Sequence, residues 1–153
     1  MKIHRDIDNL PFFKNSVITT GTFDGVHKGH LKIIEQVKQE ASELHGESVL
    51  ITFHPHPRLI LQGRHSGELK LLSTFEEKME LLEKNEVDHV IVIPFTKEFS
   101  ETEPEDYISE FLVKKLRAKC IITGYDHHFG KDRKGDFRLL IELGRRYHFT
   151  VKE

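Results

Sequence analysis

Apolar residues recur along this chain in short unbroken runs that alternate with stretches of wider, helical spacing. The runs fall at residues 16–20, 48–53, 89–93, 120–123 and 148–151, each rich in Val, Ile or other strand formers, and they predict five strands. The run Val49-Leu50-Ile51 is continuously apolar, as expected of a strand covered on both faces. Between the runs, Leu31, Ile34, Val37, Ala41 and Leu44 mark a helix over about 29–45, with Gly46 suited to the left-handed conformation that ends a helix. Phe75, Met79 and Leu82 mark another, and Ser73 with Glu76 has the spacing of a capping box at its start. Thr102 and Glu105 repeat that spacing, Pro104 suits a first helical turn, and Ile108, Phe111, Leu112 and Leu116 form the buried stripe of a third. Asp136 is placed to cap a last helix that runs to about 146. Residues 1–14 show no period and read as an entry segment lying over part of the fold. Strands that alternate with helices predict an α/β fold: a parallel sheet of about five strands, helices on both faces, and every strand-to-helix loop on one edge.

Composition narrows the class. At 153 residues and 37% hydrophobic content the chain builds one core and one domain. A net charge of −2 gives no basic field, which argues against nucleic acid as a partner. Nothing resembles a membrane span or a secretion signal, and the lone Cys120, inside an apolar run, reads as a buried thiol with no disulfide partner. A cytoplasmic protein, without membrane contact, is the expectation.

The chemistry concentrates in the loops that follow the first, second and fourth strands. Residues 19–30 read T-T-G-T-F-D-G-V-H-K-G-H, a strand end, a glycine-rich turn and a helix start. Gly21, Gly25 and Gly29 leave room for a ligand against the main chain, and the free N–H groups of the helix start favour an anion, with phosphate the one to expect. Neither G-x-x-x-x-G-K-[ST] nor G-x-G-x-x-G is present. Instead His27 and His30, three residues apart, share a helix face at the entrance, where two imidazoles can stabilise charge on a phosphoryl group in transit. Asp24 is either a site residue or a turn residue bonded to its own backbone. Gly21, Phe23 and Gly25 either meet the ligand or shape the turn.

The second loop, His54-Pro55-His56-Pro57-Arg58, is stiffened by two prolines that bar it from continuing as helix or central strand. The third spans 124–136. His54, His56, His127 and His128 invite a zinc reading, but cysteine partners are missing and the prolines restrict how the imidazoles turn, so no protein metal site is assigned. The cluster Lys131, Arg133 and Lys134 reads as a solvated loop.

Three blocks taken together, Gly21-Thr22-Phe23-Asp24-Gly25-Val26-His27-Lys28-Gly29-His30, Thr52-Phe53-His54-Pro55-His56-Pro57 and Gly124-Tyr125-Asp126-His127-His128-Phe129-Gly130-Lys131, give the chain its resemblance. It closely resembles the adenylyltransferase domain of the bacterial bifunctional riboflavin kinase/FAD synthetase family, and the order and spacing of the blocks extend the likeness over nearly the full length. The resemblance implies a Rossmann-like nucleotidyltransferase fold and adenylyl transfer from ATP to FMN, giving FAD and pyrophosphate, with Mg2+ held mainly by substrate phosphates. It implies roles for His27 and His30 at the transferring phosphoryl group and for Gly21, Thr22, Phe23, Asp24, Gly25 and Gly29 along adenosine and phosphates. It places Phe53, His54, Pro55, His56 and Pro57, with Gly124, Asp126 and Phe129, on the flavin side. His127 departs from the aromatic usual in the family, and His128 from the usual arginine. The family's domain continues through a Ser/Thr-rich turn ending in Arg and is followed by a riboflavin kinase domain; neither is found before Glu153, so the resemblance implies a truncated domain whose covalently continuous kinase is absent. Two other readings remain: another adenylyl- or cytidylyltransferase of the same superfamily, and a non-catalytic flavin- or nucleotide-binding module.

Overall fold

In the computed structural model, which describes residues 1–62 and 70–153, the apolar runs become the centre of a six-stranded sheet. Its strands are β1 (Lys2–His4), β2 (Val17–Thr20), β3 (Ser48–His54), β4 (His89–Pro94), β5 (Cys120–Ile122) and β6 (Thr150–Lys152), in the order β1-β4-β3-β2-β5-β6. Each neighbouring pair is parallel. The five expected strands are β2 to β6. The sixth, β1, comes from the entry segment, where Lys2, Ile3 and His4 pair with His89, Val90 and Ile91. Three residues with two of them exposed leave too little pattern to read as a strand.

Side chains alternate across the sheet and build two apolar layers. On one face Ile18, Val49, Ile51, Ile91, Ile93 and Ile121 pack against a helical segment and the last helix, through Ile108, Leu112, Leu140 and Leu143. That segment is α5 (Pro104–Asp106) running into a π-helical stretch, Tyr107–Lys115, and the last helix is α6 (Phe137–Tyr147). On the other face Val17, Leu50, Val90, Val92, Cys120 and Ile122 meet α1 (Lys28–Glu43) and α3 (Phe75–Lys84) through Ile34, Val37, Ala41, Met79 and Leu82. Cys120 is fully buried, as expected. Two short helices, α2 (Pro57–Leu61) and α4 (Lys97–Ser100), follow β3 and β4. The glycine stretch with Gly63 and Gly67 lies outside the described residues.

Several local expectations shift, each for a physical reason. The residue in left-handed conformation after α1 is His45, at φ 50°, and not Gly46. A Cβ on Gly46 would collide with the Asn15 carbonyl oxygen, so glycine is required there by a close approach of backbone. The capping box of α3 is formed by Thr74 and Glu77, one residue later than the Ser73–Glu76 spacing suggested. Ser73 is engaged elsewhere: its hydroxyl donates to Asp24 and accepts from the Gly25 N–H. Pro104 opens α5 as expected, but the residue before it, Glu103, holds the cap position without a side-chain bond, and no Thr102–Glu105 box forms. Pro57 does not bar a helix; it begins α2, where its missing N–H costs nothing. Asp136 does cap α6, accepting from the Leu139 N–H at 2.9 Å.

The strand order sets β5, β2 and β3 side by side. From β2 the chain proceeds to β3 and β4 on one side and then crosses to β5 on the other, so the loops after β2 and β5 leave in opposite directions. A crevice at the carboxyl ends of the strands is where ligands bind in sheets of this kind. The three motif blocks follow these three adjacent strands.

Candidate active site

The loop after β2 is shaped by its backbone. Gly21 N–H continues the ladder to the Ile51 carbonyl at 3.0 Å, Phe23 turns left-handed at φ 50°, and Gly25 follows at φ 71° inside a single 3-10 turn, Asp24–Val26. Phe23 is 2% exposed and belongs to the core under α3, so its side chain shapes the turn from below. Gly25 admits no side chain: besides its positive φ, a Cβ would stand 2.8 Å from that of Leu72. Asp24 neither turns back on its own backbone nor stands free. Its carboxylate accepts from the N–H groups of Leu72 and Ser73 at 3.0 to 3.1 Å, pinning the loop to the segment that enters α3. Burial pushes its acidity the other way, but these N–H bonds prevail and hold the carboxyl below its ordinary range.

His27 occupies the N-cap position of α1 with extended backbone, and its ring gives the helix no capping bond. Instead it stacks on His30, centroids 3.7 Å apart and planes 21° from parallel. Gly29 makes room for this, since a Cβ there would crowd the His27 ring at 3.2 Å. Phe23 lies against the His30 ring at 5.0 Å. Nδ1 of His30 is buried without a hydrogen-bond partner. Burial first, then the neighbouring His27, push the His30 pKa down to about 4, against the opposing pull of Asp24. The two imidazoles thus stand together at the positive end of a 16-residue helix, with His30 neutral at physiological pH.

The block after β3 turns through a cis His54–Pro55 bond into α2. His56 caps α2, its Nδ1 accepting from the Arg58 N–H at 3.1 Å, which leaves the proton of the neutral ring on Nε2. Phe53 packs edge-on to Phe95, and His54 lies 4.7 Å from the ring of Phe75. A cavity of about 70 Å3 opens between this block and the segment entering α3, walled by Phe53, His54 and His56 on one side and Ser73 and Phe75 on the other, with Asp24 reaching it from the first block. The third block is held differently. Phe129 pairs with Gly135 in an antiparallel bridge and packs on Tyr107 at 6.2 Å, while His127 lies nearly parallel to Phe129 at 6.0 Å. Asp126 is exposed, and Gly124 approaches Ile33 of α1. Asp24 alone joins the first block to that cavity, His27 and His30 do not line it, and the third block follows β5 on the other side of β2, near α1. Lys131 and Lys134 pair with Glu101 and Asp132, as a solvated loop would.

Sequence reasoning misses Lys78. It is 7% exposed, on the buried side of α3, and its ammonium donates to the Thr22 carbonyl at 3.1 Å and the Thr52 hydroxyl at 3.0 Å. The signal is a charged residue three positions after Phe75, where the helical stripe assigns an apolar one. Among the described residues no three His, Cys, Asp or Glu side chains gather as a metal cage, and no helix is long and apolar enough to cross a membrane.

A family model described as FAD synthetase matches residues 10–153. The chain belongs to the FAD synthetase family. The bifunctional riboflavin kinase/FMN adenylyltransferase of Buchnera aphidicola subsp. Schizaphis graminum is 36% identical over all of this chain and 49% of that protein. The protein of the same name from Escherichia coli K12 is 34% identical over 99% of this chain and 48% of its own length. This FAD synthetase family chain spans about half the length of the curated relatives it matches. A crystal structure described as a macrolide-efflux protein from Streptococcus pneumoniae superposes with a TM-score of 0.80 at 23% identity, covering 98% of this chain and 49% of that one. Pantothenate synthetase from Thermus thermophilus gives 0.55 at 15% identity, covering 99% and 60%. At these identities the two structures speak to the fold alone, which is the Rossmann-type nucleotidyltransferase fold of the family.

Proposed function

We propose that these residues form an FMN adenylyltransferase that transfers AMP from ATP to FMN, releasing FAD and pyrophosphate. The observation that supports this most is the stacked His27–His30 pair at the mouth of α1, in a chain of the FAD synthetase family. Relatives are named for two activities, and the family model that matches here is that of the synthetase, so we assign the kinase to a covalently continuous partner domain.

An oxygen of the FMN phosphate attacks the α-phosphorus of ATP, the bond from that phosphorus to the bridging oxygen breaks, and pyrophosphate departs with the electron pair. There is little covalent chemistry for the protein to do; its work is positioning and electrostatic stabilisation. The free N–H groups at the start of α1 and the two imidazoles face the phosphates and stabilise the charge that builds on the transferring group. Because burial keeps His30 neutral, it offers a hydrogen bond without requiring a counter-charge beside it. Thr22 and the turn through Gly25 line the nucleotide side. Phe53, His54 and the two prolines, with Asp126 and Phe129, offer flat faces and polar edges to the isoalloxazine ring.

Magnesium, where bound, would be held mainly by the substrate phosphates. It takes six oxygen ligands and is commonly held by substrate phosphates with one or two carboxylates, and Asp24, already bonded to Leu72 and Ser73, is not free to build a cage. Bound to the phosphates, it would neutralise charge on the departing pyrophosphate.

The test is pyrophosphate release by the chain supplied with ATP and FMN together, against each alone. Release that needs both substrates is expected. Quenching of FMN fluorescence on binding, with no release even when the chain is extended to the length of its relatives, would make it a binding module instead.

A further inference from the structure

We propose that Lys78 is a positioning residue, a buried ammonium that locks the nucleotide loop after β2 to the end of β3, from which the flavin loop departs. The inference rests on the reading of these loops given under Proposed function. Three donors leave Nζ, and three oxygens receive them: the Thr22 carbonyl at 3.1 Å, the Thr52 hydroxyl at 3.0 Å and, at a longer 3.5 Å, the Phe53 carbonyl. The Thr52 hydroxyl in turn donates to the Thr22 carbonyl at 3.0 Å. One side chain of α3 is thereby joined to the residue just before the left-handed turn at Phe23 and to the last apolar residue before the His-Pro block.

A lysine in this place is costly. Burying an ammonium forfeits its hydration, and here the recipients are neutral oxygens. Burial holds the amine below the ordinary lysine range, with Asp24 pulling the other way. A methionine of similar length would fill the same space and avoid the penalty, as apolar replacements of buried charges commonly do. What methionine would not supply is the hydrogen bonds to two main-chain carbonyls, one in the turn after β2 and one near the end of β3. Asp24 completes the brace from the other end, since its bonds to Leu72 and Ser73 fasten the same loop just before α3 begins. The helix and the segment just before it therefore hold the turn at two points, the helix also holds the end of β3, and Lys78 lines the cavity that the His-Pro block walls. In-line attack requires the two phosphates to meet at a fixed distance, so slack between these loops should reduce turnover more than affinity.

The test uses hydrogen–deuterium exchange of the backbone amides at 21–25 and at 53, 54 and 56, measured without substrate, together with steady-state kinetics. Lys78→Met, with its fold checked by circular dichroism, is expected to exchange about tenfold faster at those amides, since a charged hydrogen bond no longer opposes local opening. Its kcat is expected to fall about 10- to 100-fold while KM for ATP changes by less than about threefold. Thr52→Val removes one link and should accelerate the same amides, and Thr52→Ser should restore them; this pair decides the question if Lys78→Met does not fold. Exchange in both folded variants within about twofold of the parent would overturn the inference. Faster exchange in a chain that transfers no adenylyl group would uphold the brace and overturn the function.

Discussion

At the scale of single residues, the histidines decide how the molecule responds to pH. Burial pushes both His30 and His127 down to about 4 from an unfolded value of 6.5, aided by His27 in one case and His128 in the other. Below pH 6.5 the unfolded chain takes up protons that the folded chain refuses, so stability must fall as pH falls from about 6.5 to about 4. Above that window these two groups contribute no slope. His127 is the better place to test this, because its buried Nε2 has no hydrogen-bond partner and its ring already lies along Phe129. In His127→Phe, an aromatic keeps the contact and loses the titration. Urea midpoints at about pH 7 and pH 5 should lie closer together in the variant than in the parent. An unchanged gap would place the pH response elsewhere, for example in the His4–His89–Glu47 chain at the opposite edge of the sheet, where His4 is also held low by burial.

At the scale of elements, the turn between β2 and α1 is fixed by geometry that an ordinary side chain resists. Gly25→Ala puts a Cβ on a residue at φ 71° and against Leu72. It is expected to cost about 1–2 kcal/mol from the left-handed backbone alone, read as a lower urea midpoint. No loss would mean the turn can relax, and that its shape matters less than argued. The same turn shows what is legible in the chain and what is not. Strands β2, β3 and β4 announce themselves because they are buried on both faces, and the helices because their stripes repeat. The motif glycines mark a tight loop, but nothing in their spacing tells that Asp24 reaches Leu72 and Ser73, 48 and 49 residues on. That bond displaces the α3 cap from Ser73 to Thr74, and a local pattern cannot register a competitor so distant in sequence. Strand β1 escapes notice for the reverse reason: its place is dictated by the free edge of β4, and its own residues carry almost no pattern. Lys78 is visible as a charge on an apolar stripe, and its partners, all main-chain or hydroxyl oxygens, are not.

At the scale of the whole molecule, a parallel sheet carries three loops with separate chemistry on three adjacent strands, β5, β2 and β3. The stacked His27–His30 pair follows the middle strand, with an aromatic and proline-rich loop on one side and the Asp126–Phe129 loop on the other. The proposal that His27 and His30 promote transfer of an adenylyl group onto FMN is decided by supplying ATP labelled at its α-phosphorus together with FMN, and following the label in the parent and in His30→Ala. Label is expected to appear in FAD in step with pyrophosphate, and His30→Ala to slow its appearance about 100- to 1000-fold, the usual effect of removing one stabilising donor. Label that reaches FAD at the parent rate in His30→Ala, or that never reaches FMN in a chain that binds both substrates, would refute it.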